Sequence, residues 1–155
     1  MSFRIIGLPA EPFADLFSLS DEALRARRAV RRIADAKPGY PCRISLTDAE
    51  PGEEVVLVHY EHQPADSPYR SSHAVYVRAG ETTFDKVDEV PEPLRLRLLS
   101  VRAFDKDGML TGADVVDGRA LEGLIDKLFA DPEAAYLHVH FARPGCYAAR
   151  VERAA

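Results

Sequence analysis

The sequence predicts an α+β fold: a single domain over residues 1–155, with a mixed, mostly antiparallel sheet of about seven strands and two or three helices. Three observations predict it. Strand-like runs follow one another from 43 to 116 with turn signals and no long helix between them, the pattern of hairpins rather than of βαβ crossovers. Helical signals fall near the start and just before residue 135. The length suits one core, and no repeat, low-complexity segment or interior linker divides it.

FRIIGL (3–8) is a short apolar run and reads as the first strand. Pro9 and Pro12 start a helical turn through Phe13, Leu16 and Phe17. Ser20, followed by Asp21 and Glu22, has the form of an N-cap with acidic first-turn residues, opening a helix over DEALRARR. Residues 30–34 read as extended, and the Lys37-Pro38-Gly39-Tyr40-Pro41 cluster is a turn. RISL (43–46) reads as a short strand. EEVVLVHYEH (53–62) is the most apolar strand, with burial expected on both faces. A loop at 63–68 leads to a strand at 72–80. Residues 81–93, polar and punctuated by proline, read as a surface excursion. A helical turn passes into a strand near 99–105, the Asp105-Lys106-Asp107-Gly108 turn follows, and 109–116 is the next strand. In GRALEGLIDKLFADP, Leu121, Leu124, Ile125, Leu128 and Phe129 form one apolar stripe at helical spacing, with Asp117 as cap and Asp131-Pro132 as stop. Two C-terminal strands, AYLHVHF and CYAARVER, flank a Pro-Gly turn.

Hydrophobic content of 46 % and charged content of 29 % are those of a water-soluble globular chain. No apolar run reaches the roughly 18 residues of a membrane span, and MSFRIIGLPAEPF is no signal peptide, so the expected compartment is the cytoplasm, without membrane attachment. There the two cysteines are expected as thiols. A net charge of −5 argues against nucleic acid as a partner, since phosphates call for a basic surface. The arginines at 25, 27, 28, 31 and 32 read as a solvated helix face running into a strand.

His138 and His140 alternate on a strand, so both imidazoles point the same way. Two such histidines can supply two zinc ligands; a third would come from His62, His73, Cys42 or a carboxylate. No CxxC or HExxH reinforces this, so no metal ligand is assigned, and the plainer reading has both histidines hydrogen-bonded in or beside the core. Cys146 can serve as a nucleophile with a histidine as base, or be an inert buried thiol. Hairpin register decides its neighbours. A loop of Arg143-Pro144-Gly145 puts Cys146 and Arg150 on the histidine face; a loop of Pro144-Gly145 puts Tyr147 and Val151 there. Proline suits two-residue hairpin turns poorly, which favours the wider loop.

YEHQPADSPYRSSHAVYVR (60–78) gathers His62, Tyr69, Arg70, Ser72 and His73 around a proline-bound loop. Arg70 and the serines can hold a carboxylate or phosphate, and His73 can move protons. The same polar groups can equally satisfy the loop's own backbone. Asp105-Lys106-Asp107-Gly108 lacks the later ligands of a calcium loop. No G-x-G-x-x-G, Walker or G-x-S-x-G motif supports a nucleotide cofactor or a serine nucleophile, and no cofactor is assigned.

KPGYPCRISLTDAEPGEEVVLVHYEHQPADSPYRSSHAVYVR (37–78), LLSVRAFDKDGMLTGADVVDG (98–118) and YLHVHFARPGCYAARVER (136–153), with the opening FRIIGLPAEPF, resemble a mainly bacterial family, domain of unknown function 1203. His59 is the one departure. The resemblance implies a stand-alone bacterial protein; it brings no reaction and transfers no catalytic residue.

The residues therefore point to a small cytosolic protein with a polar pocket for a small anionic ligand, lined by the 60–73 loop and the 138–150 hairpin. His138, His140, His73 and Cys146 are its candidate catalytic groups. Arg70, Tyr69, Ser72, Tyr147, Arg150 and His62 are its candidate ligand-binding groups. A hydrolase or a transferase fits such a pocket. The alternative is a non-catalytic module that senses a ligand or binds a protein partner. An enzyme should cluster His138, His140, His73 and Arg70 in one concave, water-accessible pocket, whereas an interaction module should show those histidines buried and paired, with an exposed apolar patch elsewhere.

Overall fold

A computed structural model describes residues 1–154. Strand β1 is Phe3–Ile6, and a 3-10 helix, Glu11–Ser18, follows with proline in its first turn. Helix α1, Asp21–Ala26, begins where the Ser20 hydroxyl accepts the Ala23 N–H at 3.1 Å. The chain then forms β2 (Ala29–Ile33), β3 (Pro41–Cys42), β4 (Thr47–Asp48), β5 (Glu54–Gln63), β6 (Ser71–Val77) and β7 (Asp85–Val87). Helix α2 (Glu92–Arg95) leads into β8 (Leu98–Phe104) and β9 (Leu110–Asp117). A short 3-10 turn, in which Asp117 accepts the Arg119 N–H, opens α3 (Leu121–Phe129). The hairpin β10 (Tyr136–Phe141) and β11 (Tyr147–Arg153) ends the described chain. None of these helices is long and apolar enough to cross a membrane.

The α+β, mostly antiparallel reading holds, but the strands divide between two sheets. One has the order β7-β1-β11-β10-β8-β9, the other β2-β5-β6-β3-β4. Among the described strands every pairing is antiparallel except β3 with β6. Alternation gives the six-stranded sheet two unlike faces. Val101, Ala103, Leu137, Val139, Ala149 and Val151 point to one side, where the α3 stripe of Leu121, Leu124, Ile125 and Phe129 buries them. The second core belongs to the five-stranded sheet: Val56, Val58, Val75 and Val77 pack with Leu8, Phe13, Leu16 and Leu24. Tyr147 of β11 is part of this second core, so the other face of the six-stranded sheet meets the five-stranded one. The candidate site lies along that junction.

The segment after β1 is stitched to the second sheet. Gly7 N–H donates to Phe84 O at 2.8 Å, and Leu8 N–H to Arg43 O at 2.7 Å. A Cβ on Gly7 would lie 2.2 Å from the Ile44 carbonyl oxygen, so only glycine allows this approach.

RISL (43–46), expected as a strand, is a turn between β3 and β4, with Leu46 N–H donating to Cys42 O and Leu46 at φ 52°. The turn lets consecutive side chains point inward: Arg43, Ile44 and Leu46 are all buried, which the alternation of a strand would not give on one side. The 81–93 excursion holds an edge strand, β7, on β1; its polarity reflects exposure, with Asp85 paired to Arg4.

The stripe of α3 makes a direct prediction. Ile125 is fully buried, and Ile125→Ala should lower unfolding stability by about 2–5 kcal/mol, read as a reduced urea midpoint at unchanged slope.

Candidate functional site

Strand β10 carries the site because its HVH triplet alternates: Val139 faces α3, and His138 and His140 face the other sheet. Across the sheet His138 is paired with Arg102 on β8 and Arg150 on β11, and His140 with Ser100 and Tyr147. Tyr147 and Arg150 are three residues apart, an odd spacing that alternation alone would send to opposite faces. A β-bulge at Val139/His140 absorbs the extra residue and puts both beside the histidines.

The hairpin loop is therefore neither of the two expected. It spans 142–146, with Gly145 at φ 81° and its N–H donating to Phe141 O at 2.8 Å. Arg150 reaches the histidine face as the wider loop required, and Tyr147 as the tighter one required. Cys146 does not. It turns to the opposite side, into the α3 core cluster, where its Sγ accepts from Arg43 Nη2 at 2.9 Å. The placement of Cys146 as a thiol working with these histidines is corrected accordingly.

His62, near the end of β5, closes the group from the facing sheet. Its ring stacks on Tyr147 at 5.3 Å and 9°, and meets His140 edge-on at 5.1 Å. One ring nitrogen from each of His62, His138 and His140 lies within 4.8 Å of the others. His140 Nδ1 is 3.0 Å from Gly145 O; a carbonyl only accepts, so Nδ1 carries the hydrogen and Nε2 the lone pair. Arg102 Nη1 donates to that Nε2 at 3.2 Å. The Nδ1 atoms of His62 and His138 are buried with no hydrogen-bond partner among the described residues. Phe104, Tyr136 and Tyr147 surround His138 at ring distances of 5.3, 5.2 and 5.1 Å.

Two cavities open on the group. One of about 250 Å³ is bounded by His62, Tyr69, Ser71, Arg102, His138 and His140. Another of about 350 Å³, on the other flank, is bounded by Tyr60, His62, Tyr136, His138, Tyr147 and Arg150. The 60–73 segment and the 138–150 hairpin thus meet, a question of strand order that the sequence left open.

Of the remaining candidates, Tyr69 lines the smaller cavity, 6.0 Å from the Phe104 ring. His73 and Ser72 are exposed on β6; His73 Nδ1 accepts the Ala74 N–H at 2.8 Å and stands outside the histidine group. Arg70 is exposed and bound through Nε and Nη2 to Glu61, at 3.1 and 3.2 Å, so its expected place as anion holder beside the histidines is corrected. Arg150 lies 4.1 Å over the Tyr136 ring with its Nε on Glu152. The arginine that reaches the smaller cavity is Arg102, which sequence reasoning missed. Its signal was a charged residue in LLSVRAF at the same alternate positions as Ser100.

Burial is the largest cause that holds all three imidazoles below their ordinary value, His138 at about 3, His140 at about 4 and His62 at about 4; for His140 the hydrogen bond to the Gly145 carbonyl works against it. Burial also lowers Arg102 and raises the Tyr147 phenol. At neutral pH the site therefore holds three uncharged imidazoles between the guanidiniums of Arg102 and Arg150, a set able to accept protons, ligate a metal or donate N–H to an anion.

These shifts fix a pH dependence. The unfolded histidines titrate near 6.5, so below that pH unfolding takes up protons that the folded site refuses. The stability these histidines contribute is complete above about pH 6.5 and is lost as pH falls toward about 4 for His62 and His140 and about 3 for His138. Melting curves from pH 7 to pH 4 should show His138→Gln flattening this decline relative to wild type; parallel curves would show that His138 is not held neutral.

No curated protein and no solved structure matches the chain. One family does, described as Protein of unknown function (DUF1203), over residues 39–153, a span that includes every histidine and arginine of the site. The chain belongs to the DUF1203 family.

Proposed function

We propose that the protein binds a small anionic ligand, a carboxylate or phosphate compound, in the cavity beside the three histidines, with Arg102 as its anchor. One observation carries this reading: the Arg102 guanidinium is partly buried, borders the cavity, and has no carboxylate partner among the described residues. A guanidinium removed from water without a counter-charge is destabilising, and an incoming anion supplies that charge through charge-assisted hydrogen bonds. The unpartnered ring nitrogens of His62 and His138 add potential donors, since a neutral imidazole can place its hydrogen on either nitrogen. Tyr69 and Ser71 border the same space and can orient the ligand.

In a hydrolase or transferase the neutral imidazoles serve as proton acceptors while Arg102 holds the negative charge. The thiol of Cys146 supplies no nucleophile there, since it faces the other side of β11. That absence from the cavity favours the second reading, in which the same pocket senses an anion without turning it over.

Titration calorimetry at low ionic strength with phosphate, acetate and citrate tests the pocket. At least one anion should bind saturably, and Arg102→Met should weaken it roughly tenfold or more, the equivalent of one charged hydrogen bond at about 1.5–3 kcal/mol. Equal binding by the variant, or no saturable binding, removes the proposal.

A further inference from the structure

We infer that His62, His138 and His140 form a site for a divalent transition metal, zinc foremost, with three imidazole ligands and an open position toward Arg102. The metal site stands on the histidines alone; only the occupant of the open position rests on the anion reading.

The geometry comes from both sheets. Two ligands sit at alternate positions of β10, the third arrives from β5, and one nitrogen of each lies within 4.8 Å of the others. A tetrahedral zinc with bonds of about 2.0–2.1 Å holds its nitrogens roughly 3.3 Å apart, a separation inside that limit. Two further observations point to a ligand. Buried polar atoms are normally hydrogen-bonded, yet His62 Nδ1 and His138 Nδ1 are not, among the described residues. The third ring is oriented in the way metal-bound histidines are: His140 gives its Nδ1 hydrogen to the Gly145 carbonyl and presents the Nε2 lone pair. The group holds no carboxylate or thiolate, and an all-imidazole set suits zinc, copper, nickel or iron rather than calcium or magnesium.

Arg102 opposes a cation through its own charge and now occupies the His140 lone pair at 3.2 Å. When the metal takes that lone pair, the guanidinium is released beside the open position, where a metal-bound anion bridges the two charges. Three protein ligands with a free fourth position is the arrangement of catalytic rather than structural zinc.

The test uses the full chain, purified untagged without chelator. Elemental mass spectrometry should find near-stoichiometric zinc or another first-row transition metal. After EDTA treatment, cobalt(II) should restore visible absorption of tetrahedral type. His62→Gln, His138→Gln and His140→Gln should each weaken zinc by more than about tenfold, while His73→Gln, at an exposed histidine outside the group, keeps wild-type affinity. His62 is only half-buried, so His62→Gln remains informative where a β10 variant fails to fold. The inference is overturned if the apo protein binds none of zinc, cobalt, nickel or copper, or if His62→Gln and a folded His138→Gln bind as wild type does. Titrations in anion-poor buffer separate the two proposals. Metal bound with no effect of Arg102→Met on anions removes the anion reading alone; anions bound without metal removes this one alone.

Discussion

One buried guanidinium ties the two sheets together. Arg43 is 2 % exposed and has no carboxylate partner among the described residues; its Nε donates to Tyr147 O at 2.8 Å, Nη1 to Pro41 O at 2.7 Å and Nη2 to the Cys146 sulfur. Its own backbone bonds β6 through Tyr76 O and the segment after β1 through Leu8 N–H. A cation held this way is pushed toward its neutral form by burial, and the Phe141 ring, 5.0 Å away, offsets part of that cost. The bonds to residues 146 and 147 fix the start of β11 against the second sheet. That placement sets Tyr147 against His62 and hence sets the spacing of the histidines. Cys146 thereby has a structural task, as acceptor for Arg43, that accounts for its burial.

The site is a product of the junction rather than of either sheet. The face of the six-stranded sheet toward α3 is filled with aliphatic side chains. The other face is apolar where Tyr147 enters the second core, and polar where Ser100, Arg102, His138, His140 and Arg150 come together. A single imidazole from β5 bridges the gap. Desolvation in this crevice keeps the imidazoles neutral and leaves two of their nitrogens unpartnered, so the same burial that raises the cost of the site also prepares it to receive a ligand.

Much of this was legible in the sequence. The Ser20 cap, the stripe of α3 and the long valine-rich strand follow local rules, because each depends on a period or a capping side chain. The shared face of His138 and His140 follows from alternation, and His62 was among the possible third ligands. Three features were not legible, each for a non-local reason. The segment 43–46 has strand-like composition, but its apolar residues and Arg43 all turn inward. Arg70 and Arg102 look alike as residues, and only the tertiary structure gives one a glutamate and the other a cavity. The bulge in β11 cancels the alternation that any reading of the hairpin relies on.

That bulge, with the five-residue loop before it, makes the stretch from His140 to Ala149 a length standard for the protein. Inserting or deleting one residue there would exchange Cys146 and Tyr147 between the faces of β11. Arg43 would lose its sulfur acceptor and His62 its stacking partner in the same event. Within this hairpin the count of residues is itself part of the architecture.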